Sequence, residues 1–66
     1  MWLAMVIRDS VPESVTSFDN YYDAVGCADD WIIKFDPKVT HSTLPRYSRG
    51  ESYHKDGLRV DILEIN

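Results

Sequence analysis

"FDNYYDAVGCADDWIIKFDP", residues 18–37, decides how the rest of the chain reads. Advancing about 100° per residue, Phe18, Tyr21, Val25, Ala28, Ile32 and Phe35 fall along one stripe, with Ala24 and Trp31 beside it. That stripe predicts an amphipathic helix with an apolar side broad enough to lie on a sheet. Thr16, Ser17 and Asp19 supply start signals, and the Thr16–Asp19 spacing resembles a capping box. Asp36-Pro37 predicts the stop, because a residue before proline is driven out of the helical region.

Working outward, "WLAMVIRDS" (residues 2–10) reads as a strand that is apolar on both sides: Trp2, Ala4 and Val6 on one, Leu3, Met5 and Ile7 on the other. A strand of that kind is normally covered twice. "DSVPES" (9–14) is turn-like, and "SVTSF" (14–18) predicts a short second strand, with Pro12 before it or at an edge. Beyond the helix, residues 38–56 are polar, interrupted by Pro45 and Gly50, and read as a loop or a poor edge strand. Asp56-Gly57 is a turn signal, after which Leu58, Val60 and Ile62 alternate as a strand. Leu63 and Ile65 break the alternation near its end.

The expected fold is therefore α+β: a small antiparallel sheet of three to four strands with one amphipathic helix on one face, in the order β-β-α-(β)-β. One helix covers one side of a sheet, so the doubly apolar strands leave a second face. That face must meet the polar middle segment, a second copy of the chain, or another protein.

Sixty-six residues read as one small domain, with 44% hydrophobic and 27% charged residues, as in a folded globule. A chain of about 60 residues buries only about 60% of its unfolded surface, so a partner, a metal or a cross-link is the usual supplement. Cys27 is the single cysteine, which excludes an internal disulfide and fits a reducing, cytoplasmic setting. "MWLAMVI" meets Arg8 and Asp9 at once, too short an apolar run for a signal core or a bilayer span, so no membrane role is expected. Charge is uneven: residues 1–37 carry two cations against seven anions, and residues 38–66 carry five against four. Such asymmetry bears on partners rather than on fold.

The acidic helix is the first candidate site. Asp19, Asp23 and Asp30 lie in a narrow arc opposite the apolar stripe, and Asp29 projects toward the rim of the stripe near Phe18 and Ile33. Asp19 and Asp23 suit the helix N-terminus, but Asp29 and Asp30 sit where the dipole disfavours them, with only Lys34 in reach of Asp30. Gly26 adds a cost of about 1 kcal/mol relative to alanine. This acidity exceeds what the helix needs, and the expectation is a carboxylate surface for a protein partner with a basic surface. The second candidate is the loop 41–55, where Arg46, Arg49 and Lys55 interleave with Tyr47 and Tyr53. Cations beside stacking aromatics suit single-stranded nucleic acid, although the net charge of −4 opposes it.

Catalysis and metal find no support. His41, His54 and Cys27 fall at no standard ligand spacing, and the three glycines are isolated rather than forming a phosphate cradle. No cofactor, no metal and no enzymatic activity are expected. In size and layout, with an acidic helix after two strands, the chain is similar to several small phage-encoded proteins that inhibit host polymerases or defence complexes. That similarity rests on no shared motif and implies an inhibitor or adaptor. The competing expectations are a self-assembling module, a homodimer through the second sheet face, and a nucleic-acid binder using residues 41–55.

Overall fold

The computed structural model describes residues 1–65. Five regular elements follow one another: β1 (Trp2–Arg8), β2 (Val11–Phe18), α1 (Tyr21–Phe35), β3 (Tyr53–Lys55) and β4 (Leu58–Glu64). Single 3₁₀ turns at His41–Thr43 and Tyr47–Arg49 interrupt the long connection. The strands form one antiparallel sheet in the order β2-β1-β4-β3, with α1 across one face, which is the α+β arrangement expected.

The helix begins later than its sequence signals. Thr16, Ser17 and Asp19 are not its start, and no Thr16–Asp19 capping box forms: Thr16, Ser17 and Phe18 belong to β2, where they stand opposite Ala4, Leu3 and Trp2, and Asp19 precedes the cap. Asn20 is the N-cap instead, its side-chain oxygen accepting the Tyr22 N–H at 2.7 Å. A cap of this kind is worth about 1 kcal/mol. Thr16 and Ser17 are capable of both roles, and pairing with β1 decides between them. The stop falls where expected: Asp36 is extended, and its N–H reaches the Ile32 carbonyl at 2.8 Å.

Both hairpins turn through left-handed backbone. Asp56 and Gly57 have φ of 50° and 84°, and Asp9 and Ser10 have φ of 50° and 68°. Two successive positive φ values define the turn whose twist matches antiparallel strands. The turns touch, since the Asp9 N–H bonds the Gly57 carbonyl at 2.9 Å and carries the β1–β4 ladder one step further. Pro12 and Glu13 are strand rather than turn. The register slips between Val6 and Ile7, leaving Glu13 as the extra residue of a bulge on the edge strand.

Under the helix the contact is made by small residues. Ala24, Ala28 and Ile32 of α1 are fully buried against Ala4, Val6, Leu58 and Val60 of the sheet. The alanines let helix and sheet approach closely, while Trp31, Phe35, Tyr53 and Ile62 close the rim. Each fully buried Val, Leu or Ile contributes roughly 1.5–3 kcal/mol. Val39, Leu44 and Tyr47 of the long connection pack against this same cluster. The middle segment therefore lies on the helix side, and it does not cover the second face of the sheet.

Candidate partner-binding surfaces

The register of the strands defines the second face row by row. Leu3 lies between Ser17 and Leu63, Met5 between Val15 and Asp61, and Ile7 between Pro12 and Arg59. Residues paired in this way share a face. Val15 and Leu63 are 55% and 51% exposed, while Leu3, Met5 and Ile7 in the central strand are half-buried by their neighbours alone. The only charges in these rows, Arg59 and Asp61, bond each other at 3.2 Å. Three strands about 4.8 Å apart and about seven residues long present roughly 330 Å² in projection, an area that Leu3, Met5, Ile7, Val15 and Leu63 share with Ser17, Arg59 and Asp61.

The acidic residues divide. Asp23 and Asp30 are exposed, as the helical periodicity placed them; Asp19 is exposed too, but it lies in the β2–α1 connection, one residue before the Asn20 cap, rather than on the helix. Beside them Tyr22 is 79% exposed and ends an aromatic ladder, its ring 5.7 Å from Tyr21, which lies 4.8 Å from Trp2. Tyr22 was not singled out from the sequence; its position between Asp19 and Asp23, off the apolar stripe, was the available signal. Lys34 does not close an ion pair with Asp30, so the outer arc keeps its negative charge.

Asp29 behaves differently. Instead of facing Phe18 and Ile33 it turns toward Tyr47 and His41 of the middle segment. One of its carboxylate oxygens and the Tyr47 hydroxyl are both buried, and neither completes a well-formed hydrogen bond. Burial holds the Asp29 carboxyl above its ordinary range, partly offset by the His41 imidazole and the Tyr47 hydroxyl. Burial first, and then the Asp29 charge, push the Tyr47 phenol far up, so it stays protonated. An open groove of about 660 Å³ lies alongside, between Val25 and Asp29 of α1 and the Thr40–Arg46 segment.

The basic loop is broken up by the fold. Tyr47 is turned inward, and Tyr53 packs edge-on against Phe35 with centroids 6.4 Å apart and its hydroxyl buried. Lys55 is held by Asp36 at 2.6 Å. Their hydrogen bond, with the Lys38 N–H behind it, holds the Asp36 carboxyl below its usual range. Arg46 and Arg49 are exposed and make no ion pair among the described residues, although the Glu51 carboxylate accepts the Arg46 backbone N–H at 2.9 Å. Two arginines whose neighbouring Tyr47 and Tyr53 are partly buried, each with its hydroxyl inside, form a weaker platform for stacked bases than the sequence alone suggests.

Cys27 is half-buried, and burial followed by the Asp30 charge raises its thiol pKa. An activated nucleophile needs the opposite shift. Among the described residues no three His, Cys, Asp or Glu side chains converge on a possible metal position, and no helix is long and apolar enough to cross a membrane. No known family, curated protein or solved structure matches the chain.

Proposed function

We propose that this chain is a non-enzymatic binding protein, an inhibitor or adaptor, that docks on a protein partner. The observation that carries the reading is the uncovered sheet face, where Leu3, Met5, Ile7, Val15 and Leu63 form one apolar patch beside an internally neutralised ion pair. A small domain that turns bulky apolar side chains outward gains stability when something covers them. The exposed Asp19, Asp23 and Asp30 set the electrical character of the opposite side and favour a partner, or a second contact, with a basic surface. Tyr22, exposed among them, is the residue type that anchors such contacts.

A homodimer through the sheet face is the second reading, favoured by where the charge lies. The helix-face acids sit on the far side of the sheet, so two copies meeting sheet to sheet bring together apolar rows and paired charges rather than like charges. Sedimentation across a hundredfold concentration range, with the wild type, Met5→Glu and a triple Asp19/Asp23/Asp30→Lys variant, tests both. Concentration-dependent dimerisation lost only in Met5→Glu supports the dimer. A partner recovered from a bacterial lysate and lost in either variant identifies the face that holds it. Binding activity untouched by both variants would remove the proposal.

A further inference from the structure

We propose that the outer edge of β2, from Ser14 to Phe18, is a docking strand for an extended segment of a partner protein that carries basic residues on both flanks of an uncharged core. The inference rests on the protein-binding reading above and specifies the element that is recognised. Its starting point is an asymmetry between the two sheet edges. β3 ends the sheet on one side with three residues, too few to template another strand, and its Lys55 is tied to Asp36. β2 ends it on the other side with eight.

Within β2 only the first half is guarded. Pro12 offers no N–H, Glu13 occupies the bulge, and Arg8 pairs with Glu13 at 3.0 Å. None of these devices extends past Ser14. Ser14, Val15, Thr16, Ser17 and Phe18 are uncharged and regularly paired to β1, with Val15, Thr16 and Ser17 exposed. In such a strand, alternate residues turn both N–H and C=O away from the existing neighbour. An added strand satisfies those groups and extends the row begun by Met5 and Val15.

Charge chooses the occupant. If a second copy paired its β2 here, the antiparallel register that matches the whole uncharged run with itself sets Ser14 opposite Phe18. Glu13 then stands opposite the second copy's residue 19, an aspartate, at both ends. Like charges opposite one another in a ladder are destabilising. A segment with Lys or Arg at those two positions converts both repulsions into attractions. It does so in either direction, because each end of the run is acidic. Glu13 is already shared with Arg8, so the Asp19 end contributes more.

The test uses two peptides with the same Val-Thr-Val-Thr-Val core, one flanked by lysines and one by glutamates, titrated into ¹⁵N-labelled protein at low salt. The expected result is slowed amide exchange confined to alternate residues of Ser14–Phe18, with the lysine-flanked peptide at least about tenfold tighter and its advantage shrinking with salt. Asp19→Lys should reduce that advantage severalfold. Of the adjacent Thr16 and Ser17 amides, one faces β1 and the other faces outward. Proline at the outward position should abolish peptide binding with the thermal midpoint preserved. Equal affinity for the two peptides overturns the inference. So do shifts centred on Leu3, Met5 and Ile7, no protection of β2 at millimolar peptide, or a β2-to-β2 dimer without peptide. Loss of this result with the Met5→Glu effect intact would leave protein binding standing and remove only the edge.

Discussion

On its helix side β1 contributes Ala4 and Val6, each 1% exposed; on the other side the same strand contributes Leu3, Met5 and Ile7, all larger than alanine and only partly buried. The bulk is distributed against expectation. Small residues at positions 4, 24 and 28 draw the helix down onto the sheet, while longer chains stand where nothing covers them. A solvent-facing side of an antiparallel sheet normally alternates to polar residues. Here it does so at Ser17, Arg59 and Asp61, and at His54 beside Arg59 on the short edge strand, so the two faces differ less in hydrophobicity than in whether a partner is built into the chain.

Perturbing each face in turn sharpens that contrast. The largest effect belongs under the helix: Ile32→Ala should cost about 2–5 kcal/mol in urea unfolding, because Ile32 has no exposed surface and its cavity cannot collapse fully. Gly57→Ala probes the sheet beneath both faces. Its φ of 84° is left-handed, and a Cβ would drive into the Asp9 carboxylate of the neighbouring turn, so a loss of about 1–2 kcal/mol is expected by the same measurement.

On the covered side Asp29→Asn should stabilise, by under about 1 kcal/mol, since it removes a desolvated charge beside Tyr47. The sign follows from linkage. A carboxyl raised by burial contributes stability that is fully present below its ordinary value and lost as pH rises through its folded value. The variant's advantage should thus vanish below about pH 4 and appear above it in thermal melts. Asp36 runs the other way: its lowered carboxyl supports the fold above the ordinary range and loses that support as pH falls through its folded value. The smallest effect is on the open face, where Val15→Thr should change monomer stability by about 0.5 kcal/mol or less. A larger loss, or a midpoint that moves with protein concentration, would mean that this face is covered in solution.

The sequence was informative where a local pattern had no rival. The stripe from Tyr21 to Phe35 and the Asp36-Pro37 stop are periodic or stereochemical features, and both were legible. So was β4 behind Asp56-Gly57. Phe18 fits both the helical stripe and the β alternation, and Thr16 is as good a strand residue as a cap, so only the distant partners Trp2 and Ala4 settle their place. The middle segment carries no period at all. Its Val39, Leu44 and Tyr47 find the core because the fold brings it alongside, not because a pattern announces them. The orientation of Asp29 was illegible for the same reason, as His41 and Tyr47 reach it through tertiary structure. Of the candidate surfaces, the exposure of Asp23 and Asp30 was readable from helical geometry, while the place of Asp19 ahead of the helix and the inward turn of Tyr47 and Tyr53 were not.

By itself the sequence determined that a two-sided apolar strand and a one-sided helix would share this chain, because alternation of two and recurrence of 3.6 are properties of the backbone. It determined equally that one outer arc of the helix would be acidic. Pro12 already allowed β2 an edge place, but which face of β1 the helix would take, where the middle segment would lie, and that β4 would sit between β1 and β3 were decided by tertiary structure. Strand order and packing depend on contacts between residues far apart in the chain, and the local periodicities are the same whichever contacts form.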